Sequence, residues 1–293
     1  MNKLRFSLIL ATVHRVKETE RFLHSLSQQD YQGGFELIII DQNQDGCLDG
    51  MVEQYRQNFP ILHLRQDQPL LARARNLGLT HVQGDLVGFP DDDCAYEPDT
   101  LSRAAGFLAE HPERDGVVGN VMDLEREEEA MLFYMPQPAA EITPKNAWVV
   151  GMTAAFFLRA ERIQGCRFDE TIGPGTPWGC GEDTDFFLRC MDGGASFYFD
   201  PAIVIRHPTP MRIYSLRQLV RREYQYGRGY GYLMGKRRFP AVTALWKALV
   251  EPFTYVPACV RHRRWKELAL MPSLISGRLL GYLGYLALAK RPT

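Results

Sequence analysis

Short apolar runs alternate with polar, helix-like segments through the first two thirds of the chain. Such continuous runs are typical of strands buried on both faces, whereas the segments between them carry apolar residues three to four positions apart. The first four predicted strands are residues 6–13, 35–40, 61–64 and 86–89. Strands and helices that alternate at this spacing predict βαβ units. We therefore expect an α/β fold with a mainly parallel sheet flanked by helices.

The remaining pattern continues this architecture with more interruptions. Residues 116–122 predict another strand, residues 123–146 an acidic and then proline-containing insertion, and residues 182–191 a helix. Two further short strands are expected at 196–199 and 204–205. The helix predicted over 71–82 has an apolar face that leaves its polar residues on other faces. Its apolar positions are Leu71, Ala74, Leu77 and Leu79, and its polar ones are Arg73, Arg75 and Asn76.

Charge divides the chain more sharply than its net value of -1 indicates. Residues 1–205 contain 17 Lys and Arg against 32 Asp and Glu, whereas residues 206–293 contain 17 against 3. We interpret this as an acidic catalytic domain over 1–210 followed by a basic helical region over 211–293 that meets an anionic surface. No feature of the chain favours a nucleic-acid partner.

Two apolar segments, at 241–260 and 268–289, approach the length of a membrane span. Charged residues such as Glu251 and Arg278 interrupt them, and the linker 261–266 is basic. This composition favours helices lying in the interface of an anionic leaflet. A soluble helical subdomain with a basic surface is the alternative.

The N-terminal sequence and the cysteines favour a cytoplasmic protein. The first apolar run is too short and too quickly followed by charge for a secretory signal. The six cysteines form no C-x-x-C pair or zinc spacing, so we expect reduced and mostly buried thiols.

Three aspartates, Asp91, Asp92 and Asp93, follow the predicted strand at 86–89. Open α/β sheets bind ligands at the carboxyl ends of their strands. Adjacent carboxylates raise one another's pKa unless a cation is present, and hard divalent ions take such oxygen ligands. The placement favours a metal site over the alternative of a solvated acidic loop.

Five motifs in order resemble those of the family 2 glycosyltransferases. They are Thr12 after the first strand, Asp41 after the second, Ala-Arg-Asn-Leu-Gly at 74–78, Asp91–Asp93, and Gly-Glu-Asp-Thr-Asp at 181–185. The resemblance covers residues 6 to about 207 and implies a GT-A fold, which is Rossmann-like, and an inverting transfer from a nucleotide-diphosphate sugar. The basic tail also resembles that of bacterial members that act on lipid-linked glycans.

The resemblance assigns roles to these residues. It implies that Asp93, Asp91 and His207 hold Mn²⁺ or Mg²⁺ against the donor diphosphate. It implies donor contacts from Thr12, Asp41, Arg75, Asp91 and Asp92. For Asp41 a helix or turn cap is the alternative, for Arg75 a surface ion pair, and for His207 a hydrogen-bonded structural histidine.

The resemblance also implies an acceptor side. Asp183 is the expected general base, because an inverting displacement needs one carboxylate to take the acceptor hydroxyl proton. Glu182 and Trp178 are expected beside it. The alternatives are acidic residues that favour a helix N-terminus and a tryptophan that anchors packing.

Several departures limit these assignments. Ala11-Thr12-Val13-His14-Arg15 stands where the family usually has Pro-Thr-Tyr-Asn-Arg, and Gln42 replaces a second acidic residue, which leaves the donor base open. The Gln-x-x-Arg-Trp of processive synthases is absent, so we expect a single transfer. Residues 227–231, Gly-Arg-Gly-Tyr-Gly, follow no strand and are not interpreted as a nucleotide loop.

The sequence thus predicts a metal-dependent glycosyltransferase, peripheral on the inner face of the cell membrane, that moves one sugar to a glycan or lipid-linked acceptor. Two alternatives remain. One is a catalytically silent, membrane-docked scaffold or glycan-binding subunit. The other is a sugar nucleotidyltransferase, which would release pyrophosphate.

Overall fold

The structure is a computed structural model, and it describes residues 3–126, 138–150 and 152–289. Its strands are β1 (Phe6–Thr12), β2 (Phe35–Asp41), β3 (Ile61–Arg65), β4 (Leu86–Gly88), β5 (Ala95–Tyr96), β6 (Gly116–Asp123), β7 (Ala140–Ile142), β8 (Phe156–Arg159) and β9 (Phe197–His207). Its helices are α1 (Val16–Ser27), α2 (Asp49–Tyr55), α3 (Leu71–Leu79), α4 (Thr100–Glu110), α5 (Ala147–Val150), α6 (Glu182–Asp192), α7 (Pro210–Ile213), α8 (Leu216–Lys236), α9 (Ala241–Leu249), α10 (Val256–Arg261) and α11 (Trp265–Ala289). Residues 127–137 of the expected insertion at 123–146 lie outside the described residues.

The chain divides into two compact units. The first unit comprises the residues up to Phe168 together with Phe186–Thr209, and the second comprises Asp169–Asp185 and the residues from Pro210 onward. The sequence-based division at residue 210 differs from these units in one segment. Residues 169–185, expected in the catalytic domain, group with the C-terminal helices.

The first unit is built on a mixed sheet, whose strand order among the described residues is β3-β2-β1-β4-β8-β6-β9-β5, with β7 beside β9. The first four strands pair in parallel, as the continuous apolar runs predict. Beyond them, β8 runs antiparallel to both β4 and β6. The α/β class with flanking helices is confirmed, and parallel pairing occurs among the first four strands and between β6 and β9.

Strand β9 is one continuous strand where two short strands were expected, at 196–199 and 204–205. Its pairing with β6 shifts register between two neighbouring residues. Gly119 is the partner of Asp200, and Asn120 is the partner of Val204. A β-bulge of this kind absorbs the residues that interrupt the apolar pattern, including Pro201. The strand therefore continues as far as His207.

Aromatic side chains close the core behind the aspartate segment. Phe89 makes edge-to-face contacts with Phe168 and Phe186 at 5.2 and 5.7 Å, and the latter two rings stack at 4.2 Å. All three rings are buried, and such contacts add to the free energy gained from burying their area. The segment that follows Phe89 thus leaves the sheet from a fixed point.

The buried face of α3 differs from the expected one. Ala72, Ala74, Arg75 and Gly78 are its buried residues, whereas Leu77 and Leu79 are half-buried. The prediction that Arg75 lies away from the core is wrong. Arg75 is buried because carboxylate and aromatic partners receive its guanidinium there, which the apolar pattern does not reveal.

The second unit is organised around the helix pair α8 and α11, whose main chains come very close at glycines. A Cβ added at Gly231 would lie 2.0 Å from the Arg278 carbonyl oxygen, and one at Gly281 would lie 2.0 Å from that of Arg228. The glycines at 227–231 therefore serve helix packing and not nucleotide binding. No helix among the described residues is both long and apolar enough to cross a bilayer.

The cysteines are all free among the described residues. Cys94, Cys190 and Cys259 are buried, two others are half-buried, and Cys47 is exposed. We expected mostly buried thiols, and three of the six cysteines are buried.

Candidate active site

The parallel strands of the first unit bring several candidate residues to one edge of the sheet. Thr12 and Asp41 are register partners at the ends of β1 and β2, and Ala11 forms an isolated parallel bridge with Asp91. Because the carboxyl ends of parallel strands meet at one edge, residues far apart in sequence become neighbours there. The expected placement of the aspartates at this edge is present in the structure.

Each of the three aspartates has a basic partner. Arg75 Nη2 donates to Asp91 Oδ1 at 3.0 Å, and Arg15 Nη1 lies 2.7 Å from Asp92 Oδ1 and 2.6 Å from Asp93 Oδ2. Asp92 and Asp93 are only 7% exposed. Buried carboxylates require such compensation, because desolvating an uncompensated charge is costly.

His207 completes the cluster from the end of β9. Its Nε2 lies 3.1 Å from Asp93 Oδ1 and 3.8 Å from Asp91 Oδ2, and ligand atoms of all three residues lie within 4.8 Å of one another. Asp93 Oδ1 is buried but has no well-aligned hydrogen-bond donor among the described residues. Two carboxylates and an imidazole whose ligand atoms lie this close together fit a divalent cation such as Mn²⁺ or Mg²⁺.

The neighbouring charges move the pKa values in opposite directions. Burial disfavours the charge on Asp93, but His207 and Arg15 outweigh this and lower the pKa of its carboxyl to about 2. Burial and the charge of Asp93 raise the pKa of Asp92, although Arg15 opposes them. Burial lowers the pKa of His207, but Asp93 and Asp91 outweigh it and raise that pKa.

Burial, with a smaller contribution from the charge of Asp93, thus sets the direction of the pKa shift at Asp92, whereas cationic partners set it at Asp93. The expectation was that the aspartates raise one another's pKa unless a cation is present; the pKa of Asp92 is raised, and Asp93, whose pKa is lowered, meets the exception. The reason is that cationic side chains already face Asp93.

Asp41 is fully buried and both of its oxygens are engaged. Oδ1 accepts hydrogen bonds from the backbone N–H and the side-chain amide of Asn43 at 2.9 and 2.8 Å, which closes an Asx turn. Oδ2 lies 3.0 Å from His63 Nε2, and His63 Nδ1 lies 3.9 Å from Asp49. The alternative of a turn cap is therefore present in the structure, and His63 holds the other oxygen.

Gln42, which departs from the family pattern, has a structural partner. Its Oε1 accepts the Leu70 N–H at 2.7 Å, immediately before α3. A side-chain oxygen in this position satisfies one of the backbone donors that have no partner inside a helix start. The glutamine thus supports the helix that carries Arg75.

Arg75 is not a surface residue. Its side chain is 2% exposed, and its guanidinium lies over the Phe168 ring at 5.2 Å while it bonds Asp91. The alternative of a surface ion pair for Arg75 is wrong because the pair is buried. Such a residue is placed to hold Asp91 in one orientation.

The expected acceptor-side residues belong to the second unit. Glu182 and Asp183 lie in the first turn of α6, where Glu182 is buried and Asp183 half-buried. Trp178 stacks on Tyr232 at 4.4 Å, and Arg228 lies over its ring at 5.2 Å. The alternative of a tryptophan that anchors packing is therefore present in the structure, because Tyr232 covers one face of the Trp178 ring.

The loop before α6 rests directly on α8. Cys180 Sγ donates to the Tyr226 carbonyl at 3.1 Å, and a Cβ added at Gly229 would lie 2.0 Å from the Cys180 carbonyl oxygen. Lys236 Nζ lies 2.8 Å from the fully buried Asp185 and 2.5 Å from Asp169. Helix α8 thus supports both ends of the segment that leads to Asp183.

Sequence reasoning did not assign roles to Arg15, His63 and Asn43. Arg15 stands where the family motif also ends in arginine, and that agreement was a usable signal. His63 interrupts the apolar run of β3, which favours a polar partner for a residue only 10% exposed in its side chain. No pattern in the sequence indicates the partner of Asn43, because its contacts depend on the turn.

Comparison with known proteins shows that the first part of the chain is similar to a family. Residues 7–144 match the model of "Glycosyl transferase family 2". Over 232 residues the chain is 27% identical to the succinoglycan biosynthesis protein ExoM of Rhizobium meliloti, covering 75% of this chain and 71% of ExoM. Over 111 residues it is 31% identical to the poly(ribitol-phosphate) beta-N-acetylglucosaminyltransferase TarS of Staphylococcus aureus, covering 37% of this chain and 19% of TarS.

Solved structures share the fold over nearly the whole chain. TarS 1–349 aligns with a TM-score of 0.60 at 15% identity, covering 96% of this chain and 92% of that structure. The mannosyltransferase PcManGT of Pyrobaculum calidifontis, solved with GDP-Man and Mn²⁺, aligns with a TM-score of 0.67 at 16% identity, covering 95% and 87%. By sequence, the match to TarS spans only about a fifth of that relative's length. Residues 7–144 are thus similar to glycosyltransferase family 2, and the chain has the GT-A fold of these solved glycosyltransferases.

Proposed function

We propose that the protein is an inverting, metal-dependent glycosyltransferase that moves one sugar from a nucleotide-diphosphate sugar to a glycan or lipid-linked acceptor. The observation that carries the proposal is the cluster of Asp91, Asp93 and His207 at the edge of a domain similar to family 2. TarS has been solved with UDP-GlcNAc and PcManGT with GDP-Man, which supports a nucleotide sugar as donor class. The nucleotide base remains to be identified by experiment.

Asp91, Asp93 and His207 would hold Mn²⁺ or Mg²⁺. When bound, such an ion supplies positive charge that neutralises the diphosphate leaving group. Arg75 holds Asp91 from the buried side, so that one carboxylate of the set has a fixed orientation. Asp92 contributes to donor binding at the same edge, and Thr12 lies beneath it at the end of β1.

Asp41 is the proposed contact for the nucleotide base. A carboxylate accepts a ring N–H of a base. Because Asp41 has no exposed surface in the structure, this contact requires neighbouring side chains to move. His63 and Asn43 fix the two oxygens from either side and thereby set their direction. They act as positioning residues for this contact.

Asp183 is the proposed general base for the acceptor. The acceptor hydroxyl attacks the anomeric carbon, its proton passes to the Asp183 carboxylate, and the nucleoside diphosphate departs with the electrons of the broken bond. Glu182 and Trp178 are proposed on the acceptor side. This assignment rests on the motif and on the half-buried position of Asp183 at the start of α6.

The test is turnover of a panel of UDP-, GDP- and dTDP-sugars with Mn²⁺, Mg²⁺ or EDTA. We expect metal-dependent release of one nucleoside diphosphate, and a loss of at least about a hundredfold in Asp183→Asn, as is typical when a general base is removed. Asp192→Asn, at the opposite end of the same helix, is the matched control and should retain activity. Pyrophosphate release from a nucleoside triphosphate would replace the proposal with nucleotidyl transfer, and absence of both binding and turnover would favour a silent scaffold. Retention of the donor's anomeric configuration in the product would refute inversion.

We also propose that the second unit docks on the inner face of the cell membrane. Among the described residues, the large apolar side chains that are exposed lie in this unit, with two exceptions, Val16 and Leu62. Those in the second unit include Val242 at 80% exposure, Trp246 at 48% and Phe253 at 55%. Apolar side chains amid an excess of Lys and Arg are suited to an anionic bilayer surface.

Sedimentation with lipid vesicles tests this docking. We expect binding to vesicles containing phosphatidylglycerol and not to pure phosphatidylcholine, and weakening by salt. Replacing both Trp246 and Phe253 by serine should weaken binding by at least about tenfold, because each buries apolar area on docking. Leu62→Ser, an equally apolar exposed site in the first unit, should bind as wild type. Equal binding of both variants would refute the assignment of the surface.

A further inference from the structure

Arg15 connects the two buried aspartates of the site. Its Nη1 atom lies 2.7 Å from Asp92 Oδ1 and 2.6 Å from Asp93 Oδ2, so one guanidinium nitrogen bridges both carboxylates. The residue directly precedes α1, more than seventy positions away along the chain. A cation that bridges adjacent carboxylates compensates their mutual repulsion in the absence of any other cation.

Arg15 differs from the other arginine at the site in its access to solvent. The Arg15 side chain is 39% exposed, whereas that of Arg75, which bonds Asp91, is 2% exposed. Rotation of the Arg15 side chain into water would release its partners, whereas Arg75 is buried and lies over the Phe168 ring. The ion pairs of Arg15 are the exchangeable ones.

The backbone beside Arg15 is fixed by a separate contact. His14 adopts a positive φ of 59°, which is uncommon for a residue other than glycine, and its N–H donates to Asn43 Oδ1 at 2.7 Å. Asn43 is in turn bonded to Asp41. A fixed backbone with an exposed side chain makes side-chain exchange the available movement.

We propose that Arg15 is an exchangeable counter-cation that makes binding of the divalent ion depend on the donor nucleotide. In the ion-free protein Arg15 occupies Asp92 and Asp93; when the ion and the donor diphosphate arrive together, it releases Asp93 and pairs with a phosphate oxygen. This inference rests on the proposed function, since the ion and the donor belong to it. It adds a residue that controls the order in which they bind.

Electrostatics gives the reason for the coupling. A guanidinium and a divalent ion on the same carboxylate repel each other, so an ion that binds alone must first displace Arg15. A diphosphate offers the displaced guanidinium a new anionic partner with charge-assisted hydrogen bonds. The ion therefore binds weakly alone and tightly with nucleotide, and the same factor applies to nucleotide binding in the presence of the ion.

The experiment is calorimetric titration of full-length protein with Mn²⁺, alone and in the presence of UDP, GDP or dTDP. We expect Arg15→Gln to bind Mn²⁺ alone about tenfold more tightly than wild type, and the Mn²⁺–nucleotide coupling to fall by about tenfold. Arg15→Lys keeps the positive charge and should restore most of the wild-type coupling. Arg21→Gln is the matched control, because Arg21 bonds the main-chain carbonyl of Asp93 and not its carboxylate, and it should leave both quantities unchanged.

The outcomes separate this inference from the proposed function. Equal or weaker Mn²⁺ binding by Arg15→Gln, with wild type binding normally and circular dichroism showing a folded variant, overturns the role of Arg15 and leaves the metal site standing. Failure of wild type to bind Mn²⁺ with every nucleotide overturns both. Tighter binding in Arg15→Gln and Arg21→Gln alike shows a general charge effect and also overturns the role of Arg15.

Discussion

The close approach of α8 to the loop before α6 leads to a quantitative prediction at Gly229. A Cβ added there would lie 2.0 Å from the Cys180 carbonyl oxygen and 2.7 Å from that of Trp178. Both obstacles are main-chain atoms, so rotation of a side chain relieves neither. Gly106 in α4 is the matched control, because it is also a helix glycine but an added Cβ meets nothing within 4 Å.

Both substitutions gain the higher helix propensity of alanine, but only Gly229→Ala also overpacks a closely packed site. Alanine is better than glycine in a helix interior by about 1 kcal/mol. Overpacking a closely packed site costs about 1–3 kcal/mol, and a main-chain obstacle favours the upper part of this range. Gly106→Ala should therefore raise the free energy of unfolding by about 0.5–1 kcal/mol, whereas Gly229→Ala should lower it by up to about 2 kcal/mol.

Urea unfolding followed by circular dichroism measures both changes. If the units unfold in separate steps, each variant should shift only the step of its own unit. An equal gain in stability for both variants would refute the close contact at Gly229. If the proposed function is correct, Gly229→Ala should also slow sugar transfer more than it weakens nucleotide binding, because the displaced loop leads to Asp183.

Three further predictions concern charged pairs. Lys236→Met should lower the free energy of unfolding by about 2–4 kcal/mol, since the fully buried Asp185 loses an ammonium at 2.8 Å. Asp169→Asn should lower it by less than about 1 kcal/mol, because Asp169 is partly exposed; urea unfolding compares the two variants. Burial opposes the charge on Asp169, but Lys236 outweighs it and lowers the pKa of that carboxyl, so the stabilisation is complete above the unfolded pKa of about 3.9 and is lost as pH falls through the folded value. Unfolding measured between pH 6 and pH 3 should show a shallower decline in Asp169→Asn, and an unchanged slope would contradict the assignment. Arg75→Met should cost about 1–3 kcal/mol, because Asp91, whose side chain is 26% exposed, loses its partner at 3.0 Å, and thermal unfolding as stable as wild type would count against that pair.

Much of the first unit was predictable because its pattern is local. Strands β1 and β2 are continuous apolar runs that end in Thr12 and Asp41, and both strands appear within one residue of the expected bounds. The aspartates follow β4 directly, and the rule that ligands bind at the carboxyl ends of strands brought them to one edge. Each of these features is determined by residues adjacent in sequence.

The contacts that depend on residues far apart in sequence were not predictable. Apolar spacing placed Arg75 on the wrong face of α3, because the spacing contains no information about the carboxylate and aromatic ring that receive it. Likewise, the bridge from Arg15 to Asp92 and Asp93 is created only when α1 and the end of β4 meet.

The sequence by itself therefore determined the α/β class, the edge that carries the chemistry and the split between an acidic and a basic part. Tertiary structure alone decided which cations face Asp93, and hence that its pKa falls while that of Asp92 rises. It also decided that Gly229 of α8 supports the loop before α6, while Gly227 and Gly231 pack against α11. The physical reason is the same in both cases: strand and helix patterns arise from neighbours along the chain, whereas charge compensation and close main-chain packing depend on atoms that folding brings together.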